Sequence, residues 1–106
     1  MCGIAGIVDH GAGAADERLV AAMCDRIVHR GPDSRGLHVA GQVGLGSQRL
    51  AIIDVAGGDQ PIFSEDGQVA VVMNGEIYNF VELRERLRAR GHAFSTGSDA
   101  EVLVHL

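Results

Sequence analysis

The sequence of 106 residues predicts a mixed α/β protein in which antiparallel strands pack against helices in layers. Short extended runs rich in Val, Ile and small residues alternate with amphipathic helical patterns, and turn signals separate them. Fifteen glycines, beside one Tyr, three Phe and no Trp, indicate many turns and close backbone approaches. This length allows one domain with a modest core.

Strands are predicted where β-branched and small residues form an alternating or continuous apolar run. The run at 3–9 is expected to be a buried strand, followed by a Gly/Ala turn at 10–15. Asp66 and Gly67 favour the tight turn of a hairpin. The other predicted strands cover 37–40, 42–47 and 68–73, a further apolar run lies at 50–53, and an irregular loop spans 54–61.

Three helices are predicted from capping residues and apolar spacing. The first covers 16–29 with Asp16 as its N-cap, and the second covers 80–90, between Asn79 and Gly91. A third begins at a capping box, Ser98-Asp99-Ala100-Glu101, and its apolar face is still incomplete at residue 106, as in a chain that continues. The apolar face of the first helix is predicted to contain Leu19, Val20, Met23, Cys24 and Ile27.

Composition excludes several classes of protein. The formal net charge of −5 and the lack of a basic stripe argue against nucleic acid or an anionic membrane as a partner. The sequence shows neither a signal peptide nor an apolar run long enough to cross a bilayer. Two cysteines are too few for a disulfide framework, so we expect a reducing cytoplasm. A Cys2–Cys24 bond stays open, but Cys24 is better explained as a core thiol. The five histidines show no metal-ligand spacing, and no metal site is predicted.

Cys2 is the first candidate for chemistry. If the initiator Met1 is removed, the thiol and a free α-amine lie on one residue, which combines a nucleophile with a general base of pKa about 7.7–8.0. A second candidate follows the run at 68–73, where Asn74 and Gly75 offer a side-chain amide and an unhindered N–H, the donors of an oxyanion hole. Plainer alternatives are a buried strand for Cys2 and a simple turn for Asn74-Gly75.

Six short motifs stand in a characteristic order and spacing along the chain. They are Met1-Cys2-Gly3-Ile4-Ala5-Gly6, His29-Arg30-Gly31-Pro32-Asp33, Arg49-Leu50-Ala51-Ile52-Ile53-Asp54, Gln60-Pro61, Asn74-Gly75-Glu76-Ile77-Tyr78-Asn79 and Gly97-Ser98-Asp99-Ala100-Glu101. Together they resemble the glutaminase domain of class II glutamine amidotransferases, most of all the branch of the glutamine-hydrolysing asparagine synthetases. The resemblance implies an N-terminal nucleophile hydrolase fold, a four-layer sandwich of antiparallel sheets and helices, of which residues 1–106 form the N-terminal part.

The resemblance also implies the residues that act on glutamine. Cys2 would attack the side-chain amide of glutamine while its α-amine, directly or through a water, moves a proton to the leaving ammonia. Asn74 and Gly75 would form the oxyanion hole. Arg49 would pair with the α-carboxylate, while Glu76 and Asp99 would hold the α-ammonium end. The implied glutamine-binding residues are Arg49, Leu50, Ala51, Ile52, Ile53, Asn74, Gly75, Glu76 and Asp99.

Several polar residues have structural explanations beside these roles. Taken alone, Arg49 before an apolar run is more simply explained as a solvated strand end, because arginine is usually exposed. Asp99 is explained as the first-turn acid of the last helix, which the helix dipole favours. We expect Arg30 and Asp33 to pair and pin their loop, and Glu101 to act only as a cap.

For the whole protein, the resemblance implies a following synthetase domain that uses ATP, Mg²⁺ and ammonia to convert aspartate to asparagine. Residues 1–106 carry no phosphate-binding glycine loop, since Gly57-Gly58 lacks the Lys/Ser pattern. Two alternatives stay open: an amidotransferase of surface-polysaccharide biosynthesis with a similar glutaminase half, and a catalytically inert fragment with exposed apolar faces. A homodimer is also left open.

Overall fold

The structure of the chain is a computed structural model that describes residues 1–11 and 13–106. Position 12, within the turn predicted at 10–15, lies outside the described residues. Both sheets are antiparallel and alternate with helices, as the sequence predicts. No helix in the described ranges has the length and hydropathy that crossing a bilayer requires. The strands are β1 (Gly3–Val8), β2 (Ser34–Ala40), β3 (Val43–Arg49), β4 (Ile62–Phe63) and β5 (Ala70–Val71), and the helices are α1 (Glu17–Arg26), α2 (Phe80–Ala89) and α3 (Val102–His105).

The first half of the molecule, residues 3–49, is a three-stranded sheet in the order β1-β3-β2. All of β1 pairs with β3, from Gly3 opposite Gln48 to Val8 opposite Val43. The short strands predicted at 37–40 and 42–47 are longer in the structure. β2 and β3 form one continuous hairpin that turns at Gly41, which has a φ of 56°.

Helix α1 covers one face of this sheet. Asp16 caps it as predicted, since its carboxylate accepts the N–H of Arg18 at 2.9 Å. Val20 and Cys24 are fully buried, whereas Leu19 is 51% exposed, contrary to the prediction. The helix meets the sheet along the row of Val20 and Cys24, which leaves Leu19 at the rim.

Two glycines of β3 let α1 approach the sheet backbone closely. A Cβ on Gly44 would lie 2.7 Å from Val20 Cγ2, and a Cβ on Gly46 would lie 2.5 Å from Cys24 Sγ. Neither distance is compatible with a side chain, so the packing of α1 requires glycine at both positions.

The opposite face of the sheet is largely open. Ile4, Val8 and Val43 alternate onto this face and are 49%, 57% and 40% exposed. The prediction of a buried first strand was therefore wrong for one of its two faces.

The second half, residues 62–105, begins with a short hairpin. Gly67 adopts a φ of 71°, and the Asp66 carboxylate accepts the N–H of Gln68, which confirms the predicted turn. Only two residues of each strand pair, so the strand predicted at 68–73 is shorter. Residues 50–53 run as a loop.

Helix α2 ends where the sequence predicts. Gly91 has a φ of 97°, and the N–H of His92 reaches back to the carbonyl of Leu87 at 3.1 Å. Asn79 caps the other end through its backbone carbonyl; within the described ranges its side chain makes no capping hydrogen bond.

The last helix is preceded by a 3₁₀ turn at Asp99–Glu101. Ser98 is the N-cap as predicted, but its Oγ accepts the N–H of Ala100 rather than that of Glu101, and the Glu101 side chain does not complete the capping box. Its carboxylate instead accepts the N–H groups of Ser95 and Thr96, each at 2.7 Å. Glu101 is 1% exposed, so its assignment as a cap alone was wrong.

Candidate active site

Cys2 immediately precedes β1 and lies beside the loop that follows β3. Its Sγ accepts the N–H of Leu50 at 3.3 Å, and the thiol is half-buried. The side chain of Arg30 donates through Nε to the carbonyl of Cys2 at 3.2 Å. The start of the chain is therefore fixed on both sides of the thiol.

The predicted pair of Arg30 and Asp33 does not form in the described part of the chain. Arg30 reaches Cys2, while the carboxylate of Asp33 accepts the N–H of Ala51 at 2.8 Å. Arg30 and Asp33 therefore do not hold each other. Each forms a hydrogen bond with the backbone of a segment distant in the sequence.

A solvent-open cleft with about 380 Å³ of atom-free space lies next to the Cys2 thiol. It collects most of the residues that the motifs implied for glutamine binding. Its lining consists of Cys2, Arg49, Leu50, Ile52, Ile53, Gln60, Met73, Gly75, Glu76, Ser98 and Asp99.

Asn74 and Ala51 stand apart from this lining. Asn74 lies in an adjoining cleft, which it shares with Cys2, Gly75 and other residues of the first cleft. Ala51 lines neither cleft, and its N–H holds Asp33 instead. Cys2 and Gly75 line both clefts and therefore lie where the two meet. Asn74 lines only the second cleft.

Arg49 is a buried wall of the cleft rather than a solvated strand end. It is 4% exposed, and its Nη2 donates to the carbonyls of Ile53 and Asp54 at 2.6 and 2.7 Å. Its Nη1 donates to Asp59 at 3.2 Å. A guanidinium has five N–H donors, so these bonds leave two free of partners in residues 1–11 and 13–106.

Asp99 supports the segment that carries Gly75 and Glu76. Its carboxylate accepts the N–H of Ile77 at 2.7 Å, and the side chain is 6% exposed. Asp99 also lies in the first turn of the 3₁₀ segment, which agrees with its structural explanation, while its contact with glutamine stays a prediction.

Residues that sequence reasoning did not assign to the site also shape it. Gln60 lines the cleft, and its side-chain oxygen accepts the N–H of Met73 at 2.7 Å. Asp54 has a φ of 51°, and its carboxylate accepts the N–H of Gly97 at 2.6 Å. The motifs contain Gln60 and Asp54, but their partners lie 13 and 43 residues away, which no local pattern reveals.

The cleft combines a nucleophile with charges of both signs. Arg49 supplies a cation, and Glu76 and Asp99 supply carboxylates, which matches the zwitterion of a free α-amino acid.

Both cysteines are free thiols, so the Cys2–Cys24 bond does not form. Burial raises the pKa of Cys24, although Arg35 opposes the effect, and Cys24 is the core thiol expected.

Comparison with known proteins agrees with this geometry. Residues 1–106 match the family described as glutamine amidotransferase domain. Glutamine-hydrolyzing asparagine synthetase 1 of Bacillus subtilis (strain 168) is 50% identical over 107 residues, which cover 98% of this chain and 17% of that protein. Glutamine-hydrolyzing asparagine synthetase 1 of Arabidopsis thaliana is 49% identical over 107 residues, which cover 100% of this chain and 18% of that protein.

The second asparagine synthetase of Bacillus subtilis (strain 168) is 44% identical over 109 residues, with 100% of this chain and 14% of that protein covered. The chain thus spans less than a fifth of the length of these relatives. The family matches the chain along its whole length, and the relatives named above are about 50% identical to it. This chain therefore belongs to the glutamine amidotransferase domain family.

Proposed function

We propose that this chain hydrolyses glutamine to glutamate and ammonia, with Cys2 as the nucleophile. The observation that carries this proposal is the position of the Cys2 thiol where two clefts meet, opposite Gly75. The backbone of Leu50 holds the sulfur at this junction, since its N–H lies 3.3 Å and its carbonyl oxygen 3.5 Å from Sγ.

The reaction proceeds by acyl transfer in two steps. The Cys2 thiolate attacks the side-chain carbonyl carbon of glutamine, and the C–N bond breaks as ammonia leaves with a proton delivered by the α-amine. Water then attacks the glutamyl thioester, which releases glutamate and returns the thiol. The proton transfer requires removal of Met1, because only then is the amine of Cys2 free.

Asn74 and Gly75 are proposed to stabilise the oxyanion of both tetrahedral intermediates. The side-chain amide of Asn74 and the N–H of Gly75 belong to one exposed segment after β5, on the side of Cys2 where the clefts join. Donors held in place before the reaction stabilise the transition state without a reorganisation cost.

The charged walls are proposed to orient glutamine. The free N–H groups of Arg49 would donate to the α-carboxylate, and Glu76 and Asp99 would hold the α-ammonium group. The three hydrogen bonds on Arg49 support this role, since they fix the guanidinium before the substrate arrives. The backbone of 50–53 would close the same side of the cleft.

The ammonia is proposed to serve ATP-dependent synthesis of asparagine from aspartate in a further domain. The relatives are named glutamine-hydrolyzing asparagine synthetases, and this likeness favours that reading over a polysaccharide amidotransferase or an inert fragment. A Cβ on Gly58 would lie 2.6 Å from Arg49 Nη2, so Gly58 packs against the arginine, and we propose that ATP and Mg²⁺ bind in the further domain. We also propose a cytoplasmic location, which the two free thiols support. A homodimer is proposed as the assembly.

For the fold, we propose the four-layer sandwich of N-terminal nucleophile hydrolases. Helix α1 supplies one outer layer, and the three-stranded sheet supplies the next. The open face with Ile4, Val8 and Val43 supports the proposal, because exposed apolar side chains on one sheet face are typical of a surface that packs against another layer.

Treatment with 6-diazo-5-oxo-L-norleucine, an electrophilic analogue of glutamine, tests the nucleophile. Peptide mapping by mass spectrometry of the full-length protein should show loss of Met1 and one adduct on Cys2, formed more slowly when glutamine competes. Cys24→Ser is the matched control and should keep the adduct, whereas Cys2→Ser should lose it. An adduct on Cys24 alone, no adduct, or labelling indifferent to glutamine contradicts the proposal.

A further inference from the structure

Three side chains that are far apart in the sequence converge in the second half of the molecule. None of them lines either cleft that contains Cys2. Glu65 lies in the β4–β5 turn, His92 follows the end of α2, and His105 lies in α3. One potential ligand atom from each lies within 4.8 Å of the other two. Oε1 of Glu65 is 3.2 Å from Nδ1 of His92 and 3.3 Å from Nδ1 of His105.

A buried contact holds the other side of the His105 ring. Nε2 of His105 is 3.4 Å from Oε1 of Glu101, and both side chains are 1% exposed. The Glu101 carboxylate is itself held by the N–H groups of Ser95 and Thr96, each at 2.7 Å.

Nδ1 of His105 is the ring nitrogen on the opposite side from this contact. This atom is buried and has no hydrogen-bond partner in residues 1–11 and 13–106. It faces the Glu65 carboxylate at 3.3 Å. A buried polar atom without a partner, aimed at a carboxylate and a second imidazole, forms a pocket of ligand atoms that suits a cation.

The distances suit a small tetrahedral cation. A zinc ion with ligands at about 2.0–2.1 Å separates neighbouring ligand atoms by about 3.3–3.4 Å. The two distances from Glu65 match this edge, whereas the ligand nitrogens of His92 and His105 lie within 4.8 Å of each other and would approach by rotation of the partly exposed His92 ring. Glu101 behind His105 is the carboxylate partner that metal-bound histidines commonly have, and the N–H of Ala93 at 2.7 Å orients the Glu65 carboxylate.

We propose that Glu65, His92 and His105 bind one divalent transition-metal ion, with zinc as the preferred ion. Two imidazoles and one carboxylate are a typical zinc ligand set, and the exposed side of Glu65 and His92 leaves a fourth position for water. The ion would connect the hairpin turn, the end of α2 and α3. The site shares no residue with the glutamine cleft, so it stands or falls independently of the proposed glutaminase activity.

Titration of the full-length protein with Co²⁺, followed by displacement with Zn²⁺, tests this site. A Cys2→Ala background removes the more accessible thiol as a competing ligand. We expect the visible absorption of four-coordinate cobalt at one equivalent, its loss on addition of zinc, and a rise in melting temperature with zinc.

Glu65→Gln and His92→Gln should each weaken zinc binding at least about tenfold and abolish the zinc-dependent rise in melting temperature. Both positions are partly exposed, so these variants should fold; His105 is avoided because it is buried. Glu85→Gln and His10→Gln, at exposed positions outside the cluster, are matched controls and should bind as the parent does. A cobalt signal that is absent, or equally strong in the variants and the parent, overturns the proposal.

Discussion

The two halves of the molecule are stabilised by different kinds of interaction. In the first half, strands of six and seven residues pair along their whole length, and α1 buries Val20 and Cys24 against glycines. In the second half, only two residues of each strand pair, and a small apolar cluster adjoins the buried carboxylate of Glu101. Regular backbone pairing and close packing dominate the first half, whereas buried polar contacts hold the second together.

This difference matters for the candidate site, because the cleft takes residues from both halves. The first half contributes Cys2 and Arg49 from the ends of two neighbouring strands, where sheet pairing fixes their positions. The second half contributes Gly75 and Glu76, on a segment held by single side-chain contacts from Asp99 and Gln60. We therefore expect substitutions to affect the two halves through different mechanisms.

The largest effect should come from Glu101→Gln, which tests the buried polar contacts of the second half. The two carboxylate oxygens accept separate backbone N–H groups, and an amide has only one oxygen. One partly buried N–H loses its acceptor and meets the amide NH₂ instead, which should cost about 3 kcal/mol of unfolding free energy. Urea denaturation measures the loss.

Glu85→Gln is the matched control, because Glu85 is exposed on α2 and its change should shift stability by less than about 0.5 kcal/mol. Equal stability of Glu101→Gln and Glu85→Gln would mean that the buried carboxylate contributes nothing to the second half.

A smaller effect should follow Gly46→Ala, which tests the close packing of the first half. The added Cβ would lie 2.5 Å from Cys24 Sγ, and relief of this overlap should cost about 2 kcal/mol. Gly13→Ala, where a Cβ meets nothing within 4 Å, is the control. Thermal melting of both variants measures the difference.

The double variant Gly46→Ala/Cys24→Ala makes this test specific. Removal of the thiol creates room for the new methyl group, so part of the lost stability should return, and the two changes should not be additive. Additive losses would show that α1 does not press on Gly46 through Cys24.

The smallest of the three effects should come from Asp16→Ala, which removes the N-cap of α1. The N–H of Arg18 loses its acceptor, at a cost of about 1 kcal/mol, while Asp16→Asn should retain most of the stability. Chemical denaturation of the pair checks the prediction. A loss for Asp16→Asn as large as that for Asp16→Ala would assign the effect to charge rather than to capping.

Sequence patterns predicted the features whose partners lie close by in the chain. Asp16 and Gly91 were recognised because a cap or a helix end involves neighbouring residues. The hairpin at Asp66-Gly67 followed for the same reason. The pattern failed where a side chain found a distant partner: Arg30 bonds to Cys2 across 28 residues rather than to Asp33.

The site was predicted in part by its motifs. They brought forward Cys2, Arg49, Gly75, Glu76 and Asp99, all of which line one cleft. Their roles in glutamine hydrolysis remain proposals. The motifs did not separate residues that face the cleft from those that support it, since Ala51 points its N–H to Asp33 and lines neither cleft.

The sequence alone therefore determined the alternation of strands and helices, the cap at Asp16, the turns at Gly67 and Gly91, and the family to which its motifs belong, because these depend on local spacing and residue type. Only the tertiary structure decided that Glu101 is a buried acceptor, that Arg49 is a wall of the cleft, and that His92 and His105 meet Glu65. Burial and long-range hydrogen bonds arise when distant segments pack, and no local pattern in the chain encodes which of them will meet.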